Sequence, residues 1–230
     1  MADDIALNIP VDLLLPEAGG GPGIVLFQEI FGVTDYIRSR AQDLADLGYV
    51  VLVPHFYGRL GDPVIEEGGA GLPQAMGLLE ELDWPGAVED GVAALDALRD
   101  HPAVSGGVGL LGFCFGGGLA YNVAAVADSK PDALVSYYGS ALPSLLGLAP
   151  DVTTPSLHHF GDSDDYIPMD TVREIEQAVT AGHDDVTFVT HPGADHAFDN
   201  PSPMFHHEGA SQEAWAKTVA WLREHLPTDD

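Results

Sequence analysis

The chain has one cysteine, Cys114, and only eight basic residues, of which Lys130 and Lys217 are the sole lysines. One cysteine cannot build an internal disulfide framework, which points to a reducing compartment. The shortage of positive charge excludes nucleic acid as a partner, because neutralising phosphates takes basic side chains. No apolar run approaches the roughly 18 residues of a membrane-spanning helix. The N-terminus, Met1-Ala2-Asp3-Asp4, is acidic, whereas a secretory leader opens with positive charge and an apolar stretch. The expected setting is cytoplasmic, away from membranes.

What the chain has in excess is acid. Asp and Glu number 36, and the net charge is −28. A tail for a basic partner would gather these acids in blocks of about five or six. Here they form short groups such as Glu66-Glu67, Glu80-Glu81 and Asp184-Asp185, spread along the whole chain. Such a surface repels itself in dilute buffer. In molar salt, where the Debye length falls to about 3 Å, the repulsion is screened. We therefore expect a salt-adapted protein. With 230 residues, 46% of them hydrophobic, the chain can bury one sizeable core, and we expect a single domain over 1–230.

Short apolar runs alternate with helical patterns. One or two strands are expected over Ile5 to Leu15, and others at Ile24–Phe27, Tyr49–Val53, Val108–Gly112, Ala133–Tyr137, Ser156–Phe160 and Val186–Thr190. Helices are expected near Asp35–Leu47, Ala87–Arg99, Phe115–Ala127, Thr171–Thr180 and Ala210–Leu226. Gly58 to Gly77, rich in Gly and Pro, reads as a long loop with at most a helical turn. Strands separated by helices give an α/β fold, a mostly parallel sheet with helices on both faces.

The chemistry concentrates at Gly112-Phe113-Cys114-Phe115-Gly116, where an apolar strand meets a helix. Small residues there permit a sharp turn that exposes the central side chain, the nucleophile-elbow pattern with Cys in place of Ser. The helix N-terminus favours a thiolate, and the Phe115 N–H is placed to receive an oxyanion. The overlapping Gly107-Val108-Gly109-Leu110-Leu111-Gly112 spells a dinucleotide fingerprint. That fingerprint must follow a strand rather than lie in one, so it is discounted.

In the chain order of this architecture an acid and then a histidine follow the nucleophile. Phe160-Gly161-Asp162-Ser163-Asp164-Asp165 leaves one expected strand, and Pro192-Gly193-Ala194-Asp195-His196 leaves the next. His196 is the expected base. Asp162, Asp164 and Asp165 all remain candidates to orient it. His158-His159 and His206-His207 resemble metal pairs, but neighbours in a strand point apart, so neither a metal nor a cofactor is expected.

With these motifs the chain resembles the dienelactone hydrolases, an α/β-hydrolase family. The most specific pieces are Gln28-Glu29-Ile30-Phe31-Gly32, the Cys114 elbow, Gly161-Asp162-Ser163-Asp164 before Tyr166-Ile167-Pro168, Tyr137-Tyr138-Gly139, and His196. The resemblance implies a Cys114–Asp164–His196 triad and makes Ile30 N–H the second oxyanion donor. It implies that Glu29 lies near the thiol and helps form the thiolate, and places Phe31, Tyr138, Phe198 and Asn200 around the substrate. Family members that cleave dienelactone hold its carboxylate with two arginines. Four residues after His196 this chain has Asn200, and Gly68 to Met76 contains no arginine, with only Arg59 nearby. His55, in Pro54-His55-Phe56-Tyr57, stands where the family often has Asp. The expected activity is hydrolysis of small, neutral carboxylic esters or lactones. Two other readings share these residues: a thioesterase or acyltransferase on the same triad, and a binding protein that retains the fold without turnover.

Overall fold

The computed structural model describes residues 5–228. The acidic start, Met1-Ala2-Asp3-Asp4, lies outside the described residues. Seven strands form one sheet: β1 (Val11–Leu14), β2 (Gly21–Phe27), β3 (Val50–Pro54), β4 (Val104–Phe113), β5 (Ala133–Tyr137), β6 (Ser156–Gly161) and β7 (Val186–His191). Their spatial order is β1-β3-β2-β4-β5-β6-β7. All neighbours run parallel except β1, which pairs antiparallel with β3 at the edge. Residues of β2, β3, β5 and β6 are buried throughout, as expected of strands covered on both faces.

The described residues form six α-helices: α1 (Asp35–Asp46), α2 (Leu72–Glu81), α3 (Trp84–Arg99), α4 (Phe115–Val126), α5 (Met169–Thr180) and α6 (Glu208–His225). Helices α1 and α6 lie together. The Arg40 guanidinium of α1 stacks 4.3 Å from the Trp215 ring of α6. Helix α4 packs on the opposite face. On β6, His158 meets Tyr121 of α4, while its neighbour His159 meets Thr218 of α6. The two histidines therefore point apart, as strand geometry requires.

Of the one or two strands expected over Ile5–Leu15 there is one, because Pro10 supplies no N–H and its carbonyl instead accepts from His55 N at 2.9 Å. Two expectations need correction. The Gly58–Gly77 loop gives way at Leu72 to α2, a helix with Pro73 near its start, where proline is tolerated. Helix α3 begins at Trp84, before the expected Ala87, for the same reason at Pro85. His55 acquires a structural account: Nδ1 lies 2.8 Å from Asp62 and Nε2 3.3 Å from Asp12, tying β1 to the loop beyond β3.

Candidate active site

The carboxyl ends of four parallel strands converge. Cys114 follows β4, Glu29 follows β2, Asp164 follows β6 and His196 follows β7. This edge is where open α/β sheets bind ligands. Cys114 adopts φ 54° and ψ −122°, a strained conformation for a residue with a side chain. Glycine makes the turn possible. A Cβ on Gly112 would meet Gly116 O at 2.2 Å, and one on Gly116 would meet Gln28 O at 2.3 Å. Tyr138 and Ala197, beside the site, also have positive φ. The Gly107–Gly112 fingerprint lies wholly inside β4.

Cys114 Sγ lies 3.3 Å from His196 Nε2, and His196 Nδ1 lies 2.8 Å from Asp164 Oδ2. The other Asp164 oxygen accepts from the Tyr166 and Ile167 amides, each at 2.7 Å, which fixes the carboxylate. Asp162 instead accepts from Ser163 Oγ and Gly193 N, and Asp165 N is held by Asp195 Oδ1. Of the three candidate aspartates, only Asp164 is within reach of His196. Burial alone lowers the His196 pKa; the Cys114 sulfur and the Asp164 carboxylate outweigh it and hold it above its ordinary value.

Phe115 is the first residue of α4, so its N–H has no carbonyl partner within the helix. The Ile30 peptide is braced from the other side, where Tyr57 Oη donates to Ile30 O at 3.0 Å. Ile30 lines the same cavity as Cys114, and Phe115 follows Cys114 directly in the chain.

Glu29 is buried but makes no hydrogen bond to the thiol. Oε1 accepts from Tyr138 Oη at 3.1 Å and Oε2 from Asn200 Nδ2 at 2.7 Å. Burial pushes its pKa up to about 7. The two donors act in the opposite direction, and the nearby Glu67 adds to the rise.

A cavity of about 310 Å³ opens onto Cys114 and His196. Its other walls are Ile30, Leu72, Met76, Leu79, Ser140, Tyr166 and Phe205. Of the residues expected around the substrate, none lines it. Phe31 packs behind Phe205, Phe198 packs against Tyr138, and Tyr138 and Asn200 turn toward Glu29. The wall that the sequence reading missed is α2, whose Leu72, Met76 and Leu79 fall at i, i+4 and i+7 on one face. That spacing was present in the stretch read as loop. No Lys or Arg lines the cavity. Arg59 is paired with Asp90 of α3, and Arg40 is bound to Asp199 through two nitrogens, at 2.9 and 2.7 Å. Among the described residues no cluster of three or more His, Cys, Asp or Glu could hold a metal ion.

The model of the dienelactone hydrolase family matches residues 9–226. The chain belongs to the dienelactone hydrolase family. It is 30% identical over 211 residues to carboxymethylenebutenolidase 1 of Cupriavidus pinatubonensis, covering 90% of this chain and 88% of the relative. With the carboxymethylenebutenolidase of Pseudomonas sp. strain P51 the identity is 34% over 221 residues, 94% and 90% of the two chains. Among solved structures, a Klebsiella pneumoniae protein provisionally assigned as a dienelactone hydrolase superposes with a TM-score of 0.81. It is 28% identical, with 97% and 96% of the chains covered. Membership makes this chain a hydrolase of the carboxylic-ester class acting on small molecules. Among the described residues no helix is long and apolar enough to cross a membrane.

Proposed function

We propose that this dienelactone hydrolase relative is a cysteine hydrolase of small, neutral, apolar carboxylic esters or lactones. The observation that carries the reading is the continuous Asp164–His196–Cys114 chain opening into a cavity that no Lys or Arg lines. His196 takes the thiol proton, and the Cys114 thiolate attacks the carbonyl carbon. The Ile30 and Phe115 amides receive the oxyanion. As the C–O bond breaks, His196 returns its proton to the leaving alkoxide. Water then attacks the thioester with His196 as base, and the sulfur leaves as thiolate. Asp164 keeps Nε2 of the ring facing the sulfur. Glu29, held by Tyr138 and Asn200, supplies negative charge behind His196 once the pH exceeds about 7, and the histidine deprotonates the thiol.

The absence of an arginine clamp and the apolar wall of α2 both favour neutral substrates, because an unpaired carboxylate would be desolvated against Leu72, Met76 and Leu79. At about 30 Å³ per heavy atom, the share of a water molecule in liquid, the cavity takes a group of roughly ten atoms. The test is hydrolysis of p-nitrophenyl butyrate in molar KCl by the native chain and by Cys114→Ala. Turnover that vanishes in the variant supports the reading. Equal turnover in both removes Cys114 as nucleophile.

A further inference from the structure

Ser140 stands at the nucleophile without a role in the triad. Its Oγ lies 3.6 Å from Cys114 Sγ, within reach of a sulfur hydrogen bond, and has no other hydrogen-bond partner among the described residues. Its backbone is fixed to the elbow. Cys114 N donates to Tyr137 O at 3.0 Å, and Ser140 N donates to Cys114 O at 3.1 Å, so the elbow residue is bonded on both sides to the segment that carries the serine. The segment is closely packed. A Cβ on Gly139 would meet Ser136 Oγ at 2.7 Å, and one on Gly118 would meet the Ala141 Cβ at 2.6 Å. Apart from the triad members, Ser140 and Tyr166 supply the only side-chain hydroxyls in an otherwise apolar cavity wall.

A thiolate in such a cavity has few donors. His196 approaches from the β7 side at 3.3 Å. The other titratable groups near the sulfur are Tyr166 from the loop after β6 and Tyr57 from the loop after β3. Glu29, after β2, is taken by Tyr138 and Asn200, and Asp164 acts through His196. None of these four hydrogen-bonds to Sγ. We infer that Ser140 is a further catalytic residue, whose hydroxyl donates to the Cys114 thiolate in the resting enzyme and again when that thiolate leaves the acyl-enzyme. In the neutral thiol the bond runs the other way, from S–H to Oγ; on ionisation the thiol proton passes to His196 Nε2, and the Ser140 hydroxyl proton rotates onto the sulfur. When sulfur attacks, its charge moves to the carbonyl oxygen and the Ser140 bond weakens. When water displaces the acyl group, the S–C electron pair returns to sulfur and the bond re-forms. The serine keeps its proton throughout.

The inference rests on Cys114 as nucleophile, yet its test does not require turnover. Cys114 is the only cysteine, so inactivation by iodoacetamide reports its thiolate alone. The rate is measured against pH for the native chain, Ser140→Ala and Ser140→Thr, with far-UV circular dichroism to verify folding. The midpoint should rise by about one pH unit in Ser140→Ala, equivalent to about 1.4 kcal/mol, and return toward the native value in Ser140→Thr. If alanine is not tolerated, Ser140→Gly, which also lacks the hydroxyl, should give the same rise. A midpoint unmoved in a folded variant without the hydroxyl overturns the inference. Failure of the parent reading is separate: it would appear as ester hydrolysis that survives Cys114→Ala.

Discussion

Asn200 donates its side-chain amide to Glu29 Oε2 at 2.7 Å and to Glu67 Oε1 at 3.3 Å, so one neutral residue holds two carboxylates behind the elbow. No cation joins them, since Arg40 is committed to Asp199. Burial therefore dominates at Glu29 and raises its carboxyl from 4.5 to about 7. The folded chain keeps a proton there that the unfolded chain releases between those two values. This contribution to stability is complete below pH 4.5 and is lost as pH rises through 7. Glu29→Gln removes the titration but keeps the shape. From pH 5 to pH 8 the variant should gain roughly 2–3 kcal/mol on the native chain in urea unfolding. Parallel stability profiles for the two proteins would show that Glu29 does not titrate as described.

The same principle acts with the opposite sign on β6. His158 is enclosed between Tyr121 and Phe188, and burial lowers its pKa to about 4. Below 6.5 the unfolded chain binds a proton that the folded chain refuses, so stability is lost as pH falls from 6.5 toward 4. His158→Phe, stacking on Phe188, should reduce that acid sensitivity. Between pH 7.5 and pH 5 the variant should lose about 2 kcal/mol less than the native chain. Equal losses would place the acid sensitivity in other groups.

The distribution of these groups shows what a sequence can reveal. Cys114, Asp164 and His196 lie in turns rich in Gly or Pro just after strands, so the strand ends and the residues beyond them are readable, although β4 starts at Val104, before the expected Val108. Glu29 was readable as a position but not as a contact. Its partners Tyr138 and Asn200 lie 109 and 171 residues away, and only the folded chain brings them together. The cavity wall was hidden for another reason. Gly68, Gly69, Gly71, Pro73 and Gly77 suggested loop, and local propensity masked the apolar stripe of Leu72, Met76 and Leu79. Ser140 carries no motif, and its place beside Cys114 follows from the turn after β5.

Charge supplies a prediction independent of the site. Arg38, Arg40, Arg59, Arg99, Arg173 and Lys217 each pair with an acid, and Lys130 caps the carbonyls of Ala124 and Ala125. With the net charge at −28, most acids have no cation beside them. Two molar KCl should therefore raise the melting temperature above its value in dilute buffer by about 5 °C or more, which for a chain of this size reflects roughly 2 kcal/mol. A melt indifferent to salt would contradict adaptation to a saline medium.

The most direct control on substrate choice lies in α2. Met76 sits mid-helix in the cavity wall, half-buried, with no Lys, Arg, Asp or Glu lining the space before it. Arginine at this position can lay its stem along the apolar wall and present the guanidinium to the cavity. In Met76→Arg, p-nitrophenyl butyrate should lose kcat/KM while mono-p-nitrophenyl succinate, whose acyl group ends in a carboxylate, gains. The ratio between them should shift by about tenfold, the effect of roughly 1.4 kcal/mol of differential binding. The chemistry at Cys114 is untouched, so a loss on both substrates alike would indicate a damaged fold, which the melting temperature detects. If a folded variant leaves the ratio unchanged, the acyl group does not lie against α2, and the preference for neutral substrates loses its structural basis.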